Sequence, residues 1–298
     1  MIDLRACSSR LLPTEDVVAA VQRWLGEDGL DACDVTSRSI IDESTTGSFD
    51  VVARQRGVVA GLDPLHRGLS ALDGAVMQPV CADGTGIEAG ERLADLSGKL
   101  LDILAVERTV LNLLGHMCGI ATRTAACVDA VAGLDCVVCD TRKTTPGLRR
   151  FDKYAVACGG GTPHRLGLDD AVLYKDNHLV GIETTDWPDR LRRAIARARD
   201  GRALSFVEVE VDTIDQLDMV LDLDVDIVLL DNMSLENLAT CVGIRSDRSP
   251  GVLLEASGGI TLASAREVAQ TGVDRIAVGS LTHGAPWLDI SLDASASQ

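Results

Sequence analysis

From residue 134 onward, short apolar runs alternate with segments of helical spacing, and this alternation limits the chain to very few folds. The runs fall at 134–139, 171–174, 204–211, 226–230, 252–254 and 275–278. Strand–helix alternation of this kind predicts a parallel sheet, closed or partly closed into a barrel of six or seven strands, the seventh expected near Gly159. In such sheets the reactive groups lie where strands end and loops lead into helices. Those ends read, in order, Asp140-Thr141-Arg142-Lys143, Lys175-Asp176-Asn177-His178, Glu208 with Glu210, Asp231-Asn232, Glu255 to Gly259, and Gly279-Ser280. Cations stand on the first strands and carboxylates on the middle ones. That layout suits a polyanionic substrate accompanied by a divalent metal.

The charge distribution points the same way. Residues 139–179 carry seven cations (Arg142, Lys143, Arg149, Arg150, Lys153, Arg165, Lys175) against five acids, whereas the rest of the chain has 21 cations and 40 acids. Arg and Lys donors aimed at one point repel each other unless an anion neutralises them. The formal charge of −17 over 298 residues argues against a general nucleic-acid binder, which needs distributed cations. No apolar run reaches the roughly 18 residues that span a bilayer, and the first residues lack an apolar signal region, so a cytoplasmic, membrane-free protein is expected. Nine scattered cysteines fit reduced thiols. Cys136 and Cys139 have CxxC spacing but lie within an apolar strand and lack a second pair for a zinc site.

The first third is less regular. Helical spacing predicts a helix over 14–25 with Thr14 as N-cap, a strand over 49–60, and a helix over 63–72 opened by Pro64. Strands are expected at 76–80 and 92–96. The glycine-rich stretch between them reads as a turn, since no helix follows it to make a phosphate loop. Apolar residues recur at helical intervals over 100–132, with a break at 115–119 that predicts two helices.

Glu210 and Asp231 suit magnesium, which takes one or two carboxylates and leaves its other positions to water and phosphate oxygens. They could equally be solvated loop carboxylates. The turns Ser257-Gly258-Gly259 and Val278-Gly279-Ser280 offer backbone N–H groups near helix starts, a way to hold a phosphate. Glycine there could equally serve the fold alone.

The segments ERTVLNLLGHMCGIAT, DTRKTTPGLR, KYAVACGGG, HRLGL, YKDNH, VEVEVDTIDQL, VLLDN, LEASGGI and VDRIAVGSLTH, spread over 107–283, resemble the quinolinate phosphoribosyltransferase family. The resemblance implies an N-terminal α/β sandwich over 1–115, completed by 282–298, and an open α/β barrel over 116–281. It also implies transfer of phosphoribose from phosphoribosyl pyrophosphate to the ring nitrogen of quinolinate, with loss of its 2-carboxylate, giving nicotinate mononucleotide, pyrophosphate and CO2. Magnesium is the implied cofactor, and the implied assembly is a homodimer or higher homo-oligomer with shared sites.

Carried over by motif, Arg108 looks like an arginine that reaches a partner subunit's site. Thr141, Arg142, Lys143, His164, Arg165 and Lys175 look like the dicarboxylate pocket, with Lys143, Glu210 and Asp231 as the catalytic set. Glu210 and Asp231 also look like the ribose and metal carboxylates, the metal held directly or through water, and Ser257, Gly258, Gly259, Val278, Gly279 and Ser280 like phosphate loops. Two positions depart from the family pattern: Pro163 stands where Asn precedes the His-Arg pair, and Ala256 where Ser is usual. Proline removes an N–H and a side-chain donor, which bears on the orientation of His164. Competing readings are a paralogous transferase for another aromatic acid, and a binder of phosphorylated metabolites without catalysis.

Overall fold

The computed structural model describes residues 10–29 and 34–295. Contacts divide the chain into two compact units. The first takes in the described residues up to Ala125, together with Thr145–Gly160 and the described residues from Gly284. The second comprises Ala126–Thr144 and Gly161–His283. This division differs from the boundary read from the sequence at 115/116, which falls inside a helix.

In the first unit an antiparallel sheet has the order β12-β1-β5-β3, from β1 (Thr46–Ala53), β3 (Val76–Pro79), β5 (Arg92–Lys99) and β12 (Ile290–Ala294). The last of these runs beside β1, pairing Phe49 with Ala294 and Ala53 with Ile290. The strand expected over 49–60 stops at Ala53 and resumes only as β2 (Gly57–Val58), which pairs with β4 (Gly86–Ile87). Thr14 is the first residue of the helix Thr14–Glu27 and not its cap, a place taken by Pro13 without a side-chain bond; the Thr14 hydroxyl accepts from Arg67 instead. The helix Leu62–Ser70 borrows its cap, because Asp83 accepts the N–H groups of Leu62 and Asp63.

Two helices were expected over 100–132, and there is one, Leu100–Ala130. The glycines that suggested a break serve packing. A Cβ on Gly119 would stand 2.1 Å from the Pro286 carbonyl oxygen, so the helix stays intact and lets the returning chain lie against it. By length and composition alone this helix could cross a membrane, although charged residues interrupt it and it holds no unbroken apolar run of that length. Its most apolar window is 61% buried within the fold, as befits the core helix of a globular unit.

The second unit is built on a parallel sheet of six strands, order β6-β11-β10-β9-β8-β7: β6 (Val137–Cys139), β7 (Val172–Tyr174), β8 (Val207–Val211), β9 (Ile227–Asp231), β10 (Leu253–Ser257) and β11 (Arg275–Ala277). The edge strands β6 and β7 do not pair, so the sheet is open. The seventh strand expected near Gly159 is reduced to one bridge, Cys139 with Thr162. All five residues of β8 are buried, as expected for strands covered on both faces. Thr213 and Ser234 cap the helices that follow β8 and β9, which fixes how sharply the chain turns after each strand. Alternation along β9 and β10 puts Leu229 with Asp231, and Glu255 with Ser257, on the same face. The register pairs Asp231 with Ser257.

Candidate functional site

At the carboxyl ends of these strands lies a cavity of about 490 Å³. The four cations read from three motifs, Arg142, Lys143, Arg165 and Lys175, all line it, together with Thr141, His164, Asp231, Ser257, Gly258 and Gly259. Three expected groups stand outside the lining. The turn Val278-Gly279-Ser280 flanks it, a Cβ on Gly279 falling 3.1 Å from Lys143 Cδ. Glu210 is buried beside it and ion-paired with Lys175 Nζ. Arg108 belongs to the first unit, where its side chain is 65% exposed.

The rim is held by short local bonds that leave charge available. Thr141 Oγ1 accepts the Lys143 N–H at 3.0 Å, and the Lys143 carbonyl accepts the Thr282 hydroxyl at 2.7 Å. These fix the backbone while the Lys143 side chain stays exposed. Arg142 Nε is buried without a hydrogen-bond partner. Burial, and then the neighbouring Arg142 charge, hold the Arg165 guanidinium below its ordinary pKa. Crowded cations with an unused buried donor describe a site for an anion. Burial raises the Glu210 carboxyl, with Lys175 opposing and the Asp231 charge adding to the rise. Glu210, paired with Lys175, and the neighbouring Asp231 are carboxylates of the kind a hard divalent cation takes.

The floor is built differently. Asp140, fully buried, accepts the His164 N–H at 2.6 Å. The Arg165 N–H donates to His164 Nδ1 at 2.8 Å. His164 Nε2 lies 3.1 Å from a Glu208 oxygen and 3.3 Å from a Glu255 oxygen, and Arg275 Nε donates to Glu255 at 2.7 Å. The orientation of His164 is thus set by Asp140, Glu208, Glu255 and its own neighbour, so Pro163 leaves it in place.

Both glutamates are fully buried. Burial and the Glu255 charge raise Glu208; Glu255 itself, though burial works against it, is held below the ordinary range by His164 and Arg275. Burial also opposes charging of His164, and the two carboxylates outweigh it. The Arg165 N–H aimed at Nδ1 competes with a second ring proton there, while Nε2 faces the two carboxylates. His164, Glu208 and Glu255 form the one metal-like cluster among the described residues. With Nδ1 accepting, Nε2 carries the ring hydrogen and has no lone pair for a metal.

Sequence reasoning placed Asp140, Asn232 and Glu255 at strand ends without giving them a role, and missed Arg275; Glu255 and Asn232 line the cavity, and Asp140 and Arg275 support it. The available signal was charge within apolar runs. Glu208 sits inside VEVEV and Arg275 inside DRIAV, where an unpartnered charge would be costly.

A sequence profile described as "Quinolinate phosphoribosyl transferase, C-terminal domain" matches residues 120–293, and one described as the N-terminal domain matches residues 34–118. The chain belongs to the quinolinate phosphoribosyltransferase family. Within this family it is 42% identical over 276 residues to the nicotinate-nucleotide pyrophosphorylase [carboxylating] of Mycobacterium leprae, covering 92% of this chain and 95% of that protein. It is 34% identical over 297 residues to quinolinate phosphoribosyltransferase [decarboxylating] 1 of Nicotiana glauca, covering 94% of this chain and 83% of that one. Among solved family structures, the nicotinate-nucleotide pyrophosphorylase from Francisella tularensis superposes with a TM-score of 0.85 at 33% identity, over 95% of this chain and 98% of that one.

Proposed function

We infer that this chain transfers phosphoribose from phosphoribosyl pyrophosphate to quinolinate and releases CO2, giving nicotinate mononucleotide and pyrophosphate for NAD synthesis. The observation that carries the reading is the convergence of Arg142, Lys143, Arg165 and Lys175 on one cavity in a chain of this family. Quinolinate brings two carboxylates. A ring with one would leave a cavity cation unmatched, so the pocket discriminates by charge.

The bond from ribose to pyrophosphate breaks as the ring nitrogen attacks, and positive charge develops at the sugar. Asp231 on the rim, with Glu210 behind Lys175, is placed to stabilise that charge. Lys143 serves the leaving oxygens, and the turns at Ser257–Gly259 and Val278–Ser280 bind phosphate. Magnesium, held by Glu210 and Asp231 directly or through water, would neutralise departing pyrophosphate. The working form is a homodimer or larger assembly in which Arg108 reaches a second subunit's cavity; its exposure on the helix supports this. A reducing, cytoplasmic setting is the one expected for nine cysteines scattered in this way.

The test is to incubate the protein with quinolinate, phosphoribosyl pyrophosphate and magnesium. Nicotinate mononucleotide and CO2 should appear together in equal amounts. No product, beside an active control enzyme, would end this reading.

A further inference from the structure

Among the described residues, Asn232 is the only non-glycine with positive φ, at +53°. It follows the last residue of β9, Asp231, and lines the cavity. Asparagine tolerates this left-handed conformation better than most residues, yet it remains uncommon. Three contacts surround it. Its Nδ2 donates to Asp231 Oδ2 at 2.6 Å, and its backbone N–H donates to the Ser257 carbonyl at 2.9 Å. Its Oδ1 faces Gly258, where a Cβ would come within 2.1 Å. Gly258 is itself at φ +100°. The amide orientation follows from chemistry, since the opposite one would set oxygen against the Asp231 carboxylate.

A single side chain therefore touches two strand exits. One carries the carboxylate assigned to the sugar, the other the turn assigned to a phosphate. We propose that Asn232 is a positioning residue for the phosphoribosyl donor, holding Asp231 and the Ser257–Gly259 turn in one fixed geometry. The left-handed backbone serves this end by turning the side chain back toward Asp231, where an extended residue would carry it onward with the chain. The inference rests on the proposed phosphoribosyl transfer and adds a residue that recognises no ligand group itself.

The experiment uses Asn232→Gly, which keeps the left-handed backbone and removes the amide, and Asn232→Asp, which keeps the shape and replaces the donor with a second carboxylate against Asp231. Calorimetry measures phosphoribosyl pyrophosphate binding with magnesium present and no acceptor, and separately quinolinate binding with no donor. Both variants should weaken the donor about tenfold, the loss expected for one hydrogen bond to a charged group. Quinolinate affinity should stay within about twofold and the melting temperature within about 2 °C. Donor binding equal to wild type in both variants overturns the inference, as does equal loss of both ligands with a fallen melting temperature. A wild-type protein that binds no donor and makes no product defeats the functional reading, and the inference with it.

Discussion

Rim and floor of the cavity use the same residue types to opposite ends. On the floor, Glu208, Glu255 and Arg275 are buried and face one another or His164, although both Glu208 oxygens and one Glu255 oxygen lack a hydrogen-bond partner. On the rim, Arg142 keeps a buried nitrogen without a partner, Lys143 is exposed, and Arg165 is crowded by a like charge. Charges answered inside the protein hold shape. Charges left unanswered wait for a ligand, and so sequence identity at the two levels has different consequences.

The largest effect is expected from the floor. Arg275→Met strands a buried Glu255 carboxylate, and breaking such a pair from one side costs about 3–5 kcal/mol. The denaturant midpoint should fall with an unchanged slope. A midpoint equal to wild type would mean that Glu255 is neutral or differently compensated, and the contrast between floor and rim would lose its first leg.

Lys143→Ala makes the reverse prediction. With its backbone bonds retained, stability should stay within about 0.5 kcal/mol, as for surface substitutions generally. Meanwhile kcat/KM should fall about 10²–10³-fold, the range seen when one electrostatic transition-state contact is removed. Mixing this variant with Arg108→Ala sharpens the point. If a second subunit completes the rim, mixed dimers regain activity at sites formed from the two intact halves. No recovery in confirmed mixed dimers would make each rim self-contained.

The same contrast explains what sequence could reveal. The rim was readable because its residues sit at ends of apolar runs, where alternation with helices locates a face of the sheet: Arg142, Lys143, Lys175 and Asp231 were found this way. Floor residues lie within the runs. Glu208 and Arg275 look like interruptions of a strand until the fold brings His164 between two carboxylates, a contact joining residues more than 40 positions apart. The long helix misled for a related reason. Gly115 and Gly119 resemble helix breakers, and only the return of residues 286–288 shows that they make room for a backbone. Asn232 was in view as part of the DN pair, but no local pattern announces a left-handed backbone that ties two loops.

The smallest expected effect tests where the floor keeps its proton. Glu208 is raised above the ordinary carboxyl value of 4.5, chiefly by burial. A group that binds its proton more tightly when folded contributes stability that is full below the unfolded value and is lost as pH rises through the folded one. Glu208→Gln has the same shape, keeps an oxygen to accept from His164 Nε2, and carries no titration. Relative to wild type, the variant should therefore gain stability as pH rises above about 4.5, at no more than about 1.4 kcal/mol per pH unit for one proton. Melting temperatures of both proteins from pH 5 to 8 measure this directly. A variant that follows wild type across this range would mean that Glu208 binds no extra proton in the folded protein and that His164 holds it instead.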